Sequence, residues 1–392
     1  MTKLWWQPPQ LRSIEGREQE RHATWLELFY DLVFVVAITQ LADNLYAHSS
    51  LSGFFGFVML FVPIWWSWIG PVFYANRFDT DDLGHRLLTA VQMLAVAALA
   101  VNVHNGLAEG SVGFAISYAA VRAVLVVNYL RTINYVPIAR PLTTRLALGF
   151  AIAAVIWLVS VFVPEPMRFA LWTLGLTVDF ATPISAGQLH LQVPLHTSHL
   201  SERFGLFTLI VLGESIIAVV DSVAEQQWNI ALMLTAVFGL SIAFSLWWIY
   251  FECVDSSPIQ RARAVGRVWV YHTWLYAHLP LAIGLTATGV GVEQVLLSEP
   301  DLALTAAARW LICGAVALCL LALGVIHFIT VPIKSTLRSE VWVSHRIGAA
   351  AFVLVLAIVG VGLLPVVLLG LVAVVCAVQV ALDLYLRSKI AA

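Results

Sequence analysis

The sequence predicts an all-α polytopic membrane protein with about twelve transmembrane helices, possible as two parallel six-helix repeats. Three observations predict it. Apolar residues make up 60% of the chain and charged residues only 11%, with a mean hydropathy of +0.88; soluble domains carry roughly 25% charged residues. The apolar runs are continuous over roughly 20 residues, enough for a helix to cross the hydrocarbon core, and do not alternate as barrel strands would. Lys and Arg are distributed unevenly between alternate loops. With the N-terminus in the cytoplasm, all of the 21 except Arg122, Arg168 and Arg309 fall on inner segments or inner span ends. That bias supports an even number of spans, with both termini cytoplasmic.

The chain starts with a polar segment, residues 1–23, expected to be cytoplasmic. Met1 to Glu20 lack an apolar h-region, so the first span is expected to direct insertion in place of a cleavable signal. Spans follow at 24–46, 53–75, 84–104, 111–130, 145–163, 168–187, 202–222, 229–251, 266–290, 304–328, 345–362 and 364–386. The last two are joined by a turn around Gly362 and Pro365, and spans five and six only by Val163 to Met167. An offset of 181 aligns Trp66 with Trp247 and Arg86 with Arg267. A longer offset aligns Arg145 with Arg346 and brings Asp179 near Asp383. The expected division is therefore a six-helix half over 24–195 and a second over 196–392, within one membrane domain. Shared membrane composition explains such sparse identities equally well.

The net charge of −2 says nothing about partners, and with no dense basic patch nucleic acid is not expected as one. Cys253, Cys313, Cys319 and Cys376 form no CxxC pair, so neither a disulfide framework nor a zinc cluster is suggested. The fifteen tryptophans fit interfacial anchoring in part.

Ionisable groups inside the apolar runs carry the functional signal, because each costs at least ~2.5–3.5 kcal/mol at membrane depth. Glu27 and Asp31 in the first span are four apart and share a helix face. Thr39 and Gln40 extend its polar content. One reading is an interfacial Glu27 partnered by Arg21 or Arg86; the other is a cation or proton site centred on the deeper Asp31. Arg122, central in the fourth span, needs a carboxylate, and Asp179 and Glu214 are the candidates. Such a pair either fixes helix register or opens and closes during transport. Gly213 beside Glu214 is expected to admit a close neighbour, presenting that acid at a thin point of the bundle.

Among the histidines, His272 and His278 lie in the ninth span. His278 stands just before Pro280, where it is expected to satisfy a freed carbonyl or to serve as a site residue. His190, His196 and His199 precede the seventh span, with weak spacing for a metal. His104 and His327 read as interfacial. No metal site and no cofactor is expected. Phosphate loops, nucleophile elbows and His-Glu-x-x-His are missing, which lowers the weight of an enzyme.

The stretch from Arg21 to Phe34 resembles the first signature of the bacterial low temperature requirement A family. His199 to Phe207, running into Leu212-Gly213-Glu214-Ser215, resembles its second, and Tyr276 to Leu281 a third. Over roughly residues 15–390 the resemblance implies a multi-pass membrane protein, with Glu27, Asp31, Glu202, Arg203, Glu214 and His278 in motif positions; it implies no settled activity. Phe29 to Thr39 is also similar in pattern to the first helix of a potassium-channel family with a Phe-Ser-Asp-Gly motif. Tyr30 and Leu32 replace its Ser and Gly, and no such motif opens the second half.

The leading functional reading is an ion- or proton-linked channel or transporter. Its expected partners are the lipid bilayer and a monovalent cation or proton, and a homo-oligomer is compatible with it. A non-catalytic scaffold in stress adaptation, or an intramembrane enzyme acting on a lipid-like substrate, stands as the alternative.

Overall fold

The computed structural model describes residues 5, 7–12, 23–80, 82–193, 195–224, 226–253, 268–330 and 336–391. Arg17, Arg21, Arg261, Arg263, Arg267, Lys3 and Lys334, counted above in the charge map, lie outside the described residues. Twelve long helices dominate what is described. They are α1 (Trp25–Ala47), α2 (Leu51–Arg77), α3 (Leu83–Val101), α4 (Ser111–Tyr135), α5 (Arg140–Ser160) and α6 (Met167–Ala186), followed, after the one-turn α7 (Leu189–Gln192), by α8 (Thr197–Ala224), α9 (Ile230–Cys253), α10 (Val268–Leu296), α11 (Ala306–Thr330), α12 (Thr336–Val359) and α13 (Pro365–Ala391). Eleven are long and apolar enough to cross a membrane. In α12 the apolar run is the shorter Val343–Val359. A multi-pass membrane protein is the architecture.

Contacts divide the chain into two compact units. The first is Met1–Leu41 with Met59–Leu206; the second is Ala42–Val58 with Phe207–Ala392.

In the first unit a short strand, β1 (Gln10–Leu11), pairs antiparallel with β2 (Phe78–Asp79), setting Gln10 against Asp79 and Leu11 against Phe78. Arg12 reinforces the pair through Asp79 at 2.7 Å. Asp82 caps α3 by accepting the His85 amide at 2.7 Å. It also accepts the Gln7 amide at 3.0 Å and Arg131 Nη2 at 2.9 Å. Burial pushes its carboxyl up, but these hydrogen bonds and the Arg131 charge outweigh that and hold it below the usual carboxylate range. The core of this unit is aromatic. Trp157 stacks on Trp172 at 4.8 Å and lies 4.3 Å from the Tyr118 ring.

Proline shapes α2. Pro71 has no N–H, so the Ser67 carbonyl one turn earlier loses its helical donor. Tyr30 of α1 supplies the replacement, its hydroxyl donating to Ser67 O at 3.2 Å. Sequence-local chemistry in one helix is thus completed by the other.

In the second unit α10 packs on α11, α11 on α12, and α13 on α9. The apolar window of α10 is 83% buried and that of α11 is 72%, which makes them the central helices of the unit. Gly362 has φ +92°, a conformation that favours glycine, and Pro365 opens α13, as the expected turn requires.

Candidate functional site

The inner face of α1 carries the site residues of the first unit. Thr24 and Glu27 form a reciprocal cap. The Thr24 amide donates to Glu27 Oε2 at 2.7 Å and the Glu27 amide to Thr24 Oγ1 at 3.3 Å. The pattern Thr-x-x-Glu was visible in the sequence, and it gives Glu27 a structural duty beside its charge. Glu27 also faces His199 Nε2 at 3.5 Å and Arg203 Nη1 at 3.6 Å. The expected partner Arg21 lies outside the described residues.

One turn deeper, Asp31 is 2% exposed. It accepts Trp68 Nε1 at 2.8 Å and Arg203 Nη2 at 2.5 Å. Arg203 therefore bridges both acids of α1. The carboxylate pair becomes a three-residue cluster whose cation comes from α8. Asp31 Oδ2 and Arg203 Nε have no hydrogen-bond partner among the described residues, so the cluster retains hydrogen-bonding capacity.

The start of α8 is positioned by Asn76, at the end of α2. Its Oδ1 accepts the His196 amide at 2.9 Å, which fixes the orientation of the side-chain amide. Its Nδ2 donates to His196 O at 2.8 Å and to His199 Nδ1 at 3.2 Å. An accepting Nδ1 leaves the His199 ring proton on Nε2, the atom that faces Glu27. Arg77 donates to His190 Nδ1 at 2.8 Å, and His190 Nε2–H donates to Pro183 O at 2.8 Å. The rings of His190 and His199 are thereby engaged with polypeptide. Among the described residues no three His, Cys, Asp or Glu side chains gather as a metal cage.

A cavity of about 460 Å³ lies beside this cluster. Its wall includes Glu27, Tyr30 and Arg203, with Arg12, Asp79, His85 and Arg86 among its polar members and Gln92 and Asn128 from α3 and α4. Trp25, 88% exposed, and the exposed Arg86 belong to the same wall, so the cavity reaches the protein surface. Gln92 Nε2 and Asn128 Oδ1 are buried without a hydrogen-bond partner among the described residues. An unsatisfied buried polar group costs about 1–3 kcal/mol.

Arg122 takes Asp179, one of its two expected acids, as its partner. Both are fully buried, with Nε 3.2 Å from Oδ2. Tyr118 completes the group, donating to Asp179 at 2.5 Å and accepting Arg122 Nη2 at 2.7 Å. Gly70 makes room for it: a Cβ there would lie 2.5 Å from Leu125 Cδ2 and 3.2 Å from Arg122 Nη1.

Glu214 and His278 belong to the second unit, and the Asp31 cluster to the first. Glu214 is buried. Gly213 does not provide the expected close approach, since a Cβ there would meet open space. Gly289 of α10 does, with a Cβ placed 3.2 Å from the Ser215 Cα and N. His278 Nδ1–H donates to Trp274 O at 2.8 Å, and its Nε2 accepts the Tyr250 hydroxyl at 3.3 Å. Pro280 frees the carbonyl of residue 276, so His278 serves a different carbonyl from the one expected. His327, in the last turn of α11, is buried. Arg346 pairs with Asp383 and donates to Gln379 Oε1 at 3.0 Å. Their sequence counterparts are engaged differently: Asp179 with Arg122, and Arg145 with Ser185. Glu202 of the second motif is half-buried beside Arg203 in sequence.

Trp65, Trp66 and Trp68 are all buried, so the tryptophan-rich end of α2 is interior and not an interfacial belt. Trp68 and Asn76 are the site residues that sequence reasoning missed.

The sequence model for the bacterial low temperature requirement A protein matches residues 22–381. The chain belongs to that family. The match covers the first stretch quoted above from His22 onward and the other two entirely, and lends no support to the potassium-channel likeness. The chain is also 25% identical over 309 residues to an uncharacterized protein of Rhizobium meliloti (strain 1021), covering 73% of this chain and 75% of that one. No solved structure matches. Glu27 and Asp31 of the family's first motif meet His199 and Arg203 of its second here.

Proposed function

We propose that this family member is a transport protein of the bacterial cell membrane, moving a small solute in a process linked to an ion or proton, with both termini in the cytoplasm. One observation carries the reading. The buried Asp31–Arg203 pair stands next to a cavity that reaches the surface and that Arg203 and Glu27 both line. A buried ionic cluster beside a solute-sized space is where occupancy of the space can change the pairing of the charges.

The test is flux in proteoliposomes with Asp31→Asn and Glu214→Gln. Asp31→Asn is expected to reduce flux. If the purified protein passes no tested ion or solute, and neither variant alters a cellular phenotype, the transport reading is lost. The scaffold reading draws support from Arg122–Asp179 and Arg346–Asp383, two buried pairs that hold helices together. It predicts that variants at these pairs lower stability while Asp31→Asn leaves every transport readout unchanged.

A further inference from the structure

The cavity of the first unit holds an asymmetry that the ion cluster does not use. Glu27 and Arg203 belong to that cluster, but Gln92 and Asn128 lie elsewhere on the wall. Gln92 is nine residues into α3, about 14 Å along its axis from Leu83. Asn128 is seven residues before the end of α4, about 10 Å in. They are 2% and 5% exposed. Gln92 Nε2 and Asn128 Oδ1 lack hydrogen-bond partners among the described residues, although both side chains line the cavity. Packing alone gives no reason to keep two such amides in apolar helices. A molecule that donates to one and accepts from the other gives one.

The charges on the wall narrow the class. Arg12 is matched by Asp79 at 2.7 Å. Arg203 is matched by Glu27 at 3.6 Å and by Asp31 at 2.5 Å. With the exposed Arg86 included, three guanidinium groups face two wall carboxylates and the Asp31 carboxylate behind Arg203. Among the described residues the sum is near zero, and both signs are present. Such a wall favours neither a bare anion nor a bare cation, but it suits a molecule carrying both charges. At about 460 Å³ the space is in the range of small-molecule pockets, and a lone ion would leave most of it unfilled.

We propose that this cavity binds a small net-neutral zwitterion of the amino-acid class, with Gln92 and Asn128 as its hydrogen-bonding floor. The proposal rests on the transport reading only for its purpose, by naming the class of solute; binding itself can be tested without flux.

The experiment is thermal unfolding of the full chain in detergent at neutral pH. The probes are the common α-amino acids one at a time, the N-acetyl and C-amide derivatives of any that bind, and potassium chloride and sodium phosphate as ionic controls. At least one zwitterionic amino acid is expected to raise the melting temperature in a saturable way. Its N-acetyl and C-amide forms should act at least tenfold more weakly. Gln92→Met and Asn128→Leu should each abolish the shift. Neither should lower the melting temperature of the unliganded protein, because each removes an unpaired amide. The proposal is overturned if no zwitterion shifts the parent protein, or if the shift survives in both variants. It is also overturned if either ionic control reproduces the shift through the same two residues. Binding without flux would sink the transport reading and leave this inference standing; flux of a bare ion by a protein that binds no zwitterion would do the reverse.

Discussion

Asp179→Asn removes the negative partner of a guanidinium that stays charged at any working pH. Arg122 would keep the Tyr118 hydroxyl at 2.7 Å. It would lose its counter-charge at 3.2 Å in a site where neither side chain touches solvent. Removing one member of a buried pair costs ~3–5 kcal/mol. The Tyr118, Phe150 and Trp66 rings, 4.8, 5.6 and 6.0 Å from Arg122 Cζ, hold the guanidinium in parent and variant alike and so cancel from the difference. The expected loss is therefore ~3–5 kcal/mol. Replacing both charges, as Arg122→Met with Asp179→Leu, should recover most of it, because no stranded charge remains. Unfolding of the purified protein in mixed micelles by added sodium dodecyl sulfate, compared across parent, single and double variants, measures the difference. A double variant no more stable than Asp179→Asn would refute the reasoning, as would a single variant as stable as the parent.

Thr24→Ala should weaken the start of α1 by about 1 kcal/mol, read as faster hydrogen exchange at the Glu27 amide. Gly289→Ala should destabilise by ~1–3 kcal/mol, because its Cβ would press on the Ser215 backbone, whereas Gly213→Ala meets open space and should be neutral or stabilising in the same melting assay. Asp82 binds fewer protons folded than unfolded, since its folded carboxyl titrates below the ordinary value. Its contribution is thus complete above a pH of about 3.9 and is lost as pH falls through the folded value; Asp82→Asn should flatten that acid limb of the stability curve.

The helices were legible because hydrocarbon imposes a length and a composition that few other folds share. Asp31 was legible for the same reason, since a carboxylate in such a run stands out. Its partner was not: Arg203 is 172 residues away, and no local pattern joins the two. For Arg122 the need for an acid followed from charge alone, but choosing Asp179 over Glu214 depends on which helices become neighbours. Trp68 was hidden because an indole serves equally well at an interface or as a buried donor. Gln92 and Asn128 drew no notice because neutral amides cost less to bury than ions and so interrupt an apolar run quietly. Gly213 misled because a glycine in a helix marks a close approach only when another helix faces it; the approach here is made from Gly289.

The Asn76 clamp on the start of α8 gives the hydrogen-bond chain a polarity. Donation runs from the Asn76 amide to His199 Nδ1, which leaves the ring proton on Nε2, the nitrogen 3.5 Å from Glu27 Oε2. For a proton to hop through the imidazole from Glu27, Nδ1 would have to release one to Asn76, and an amide nitrogen that is already a donor has no lone pair to receive it. Turning the amide over would set its NH₂ against the His196 N–H, donor to donor. The chain is therefore a blind end for proton traffic: it faces Glu27 with a protonated ring nitrogen and gives a proton no onward path through Asn76.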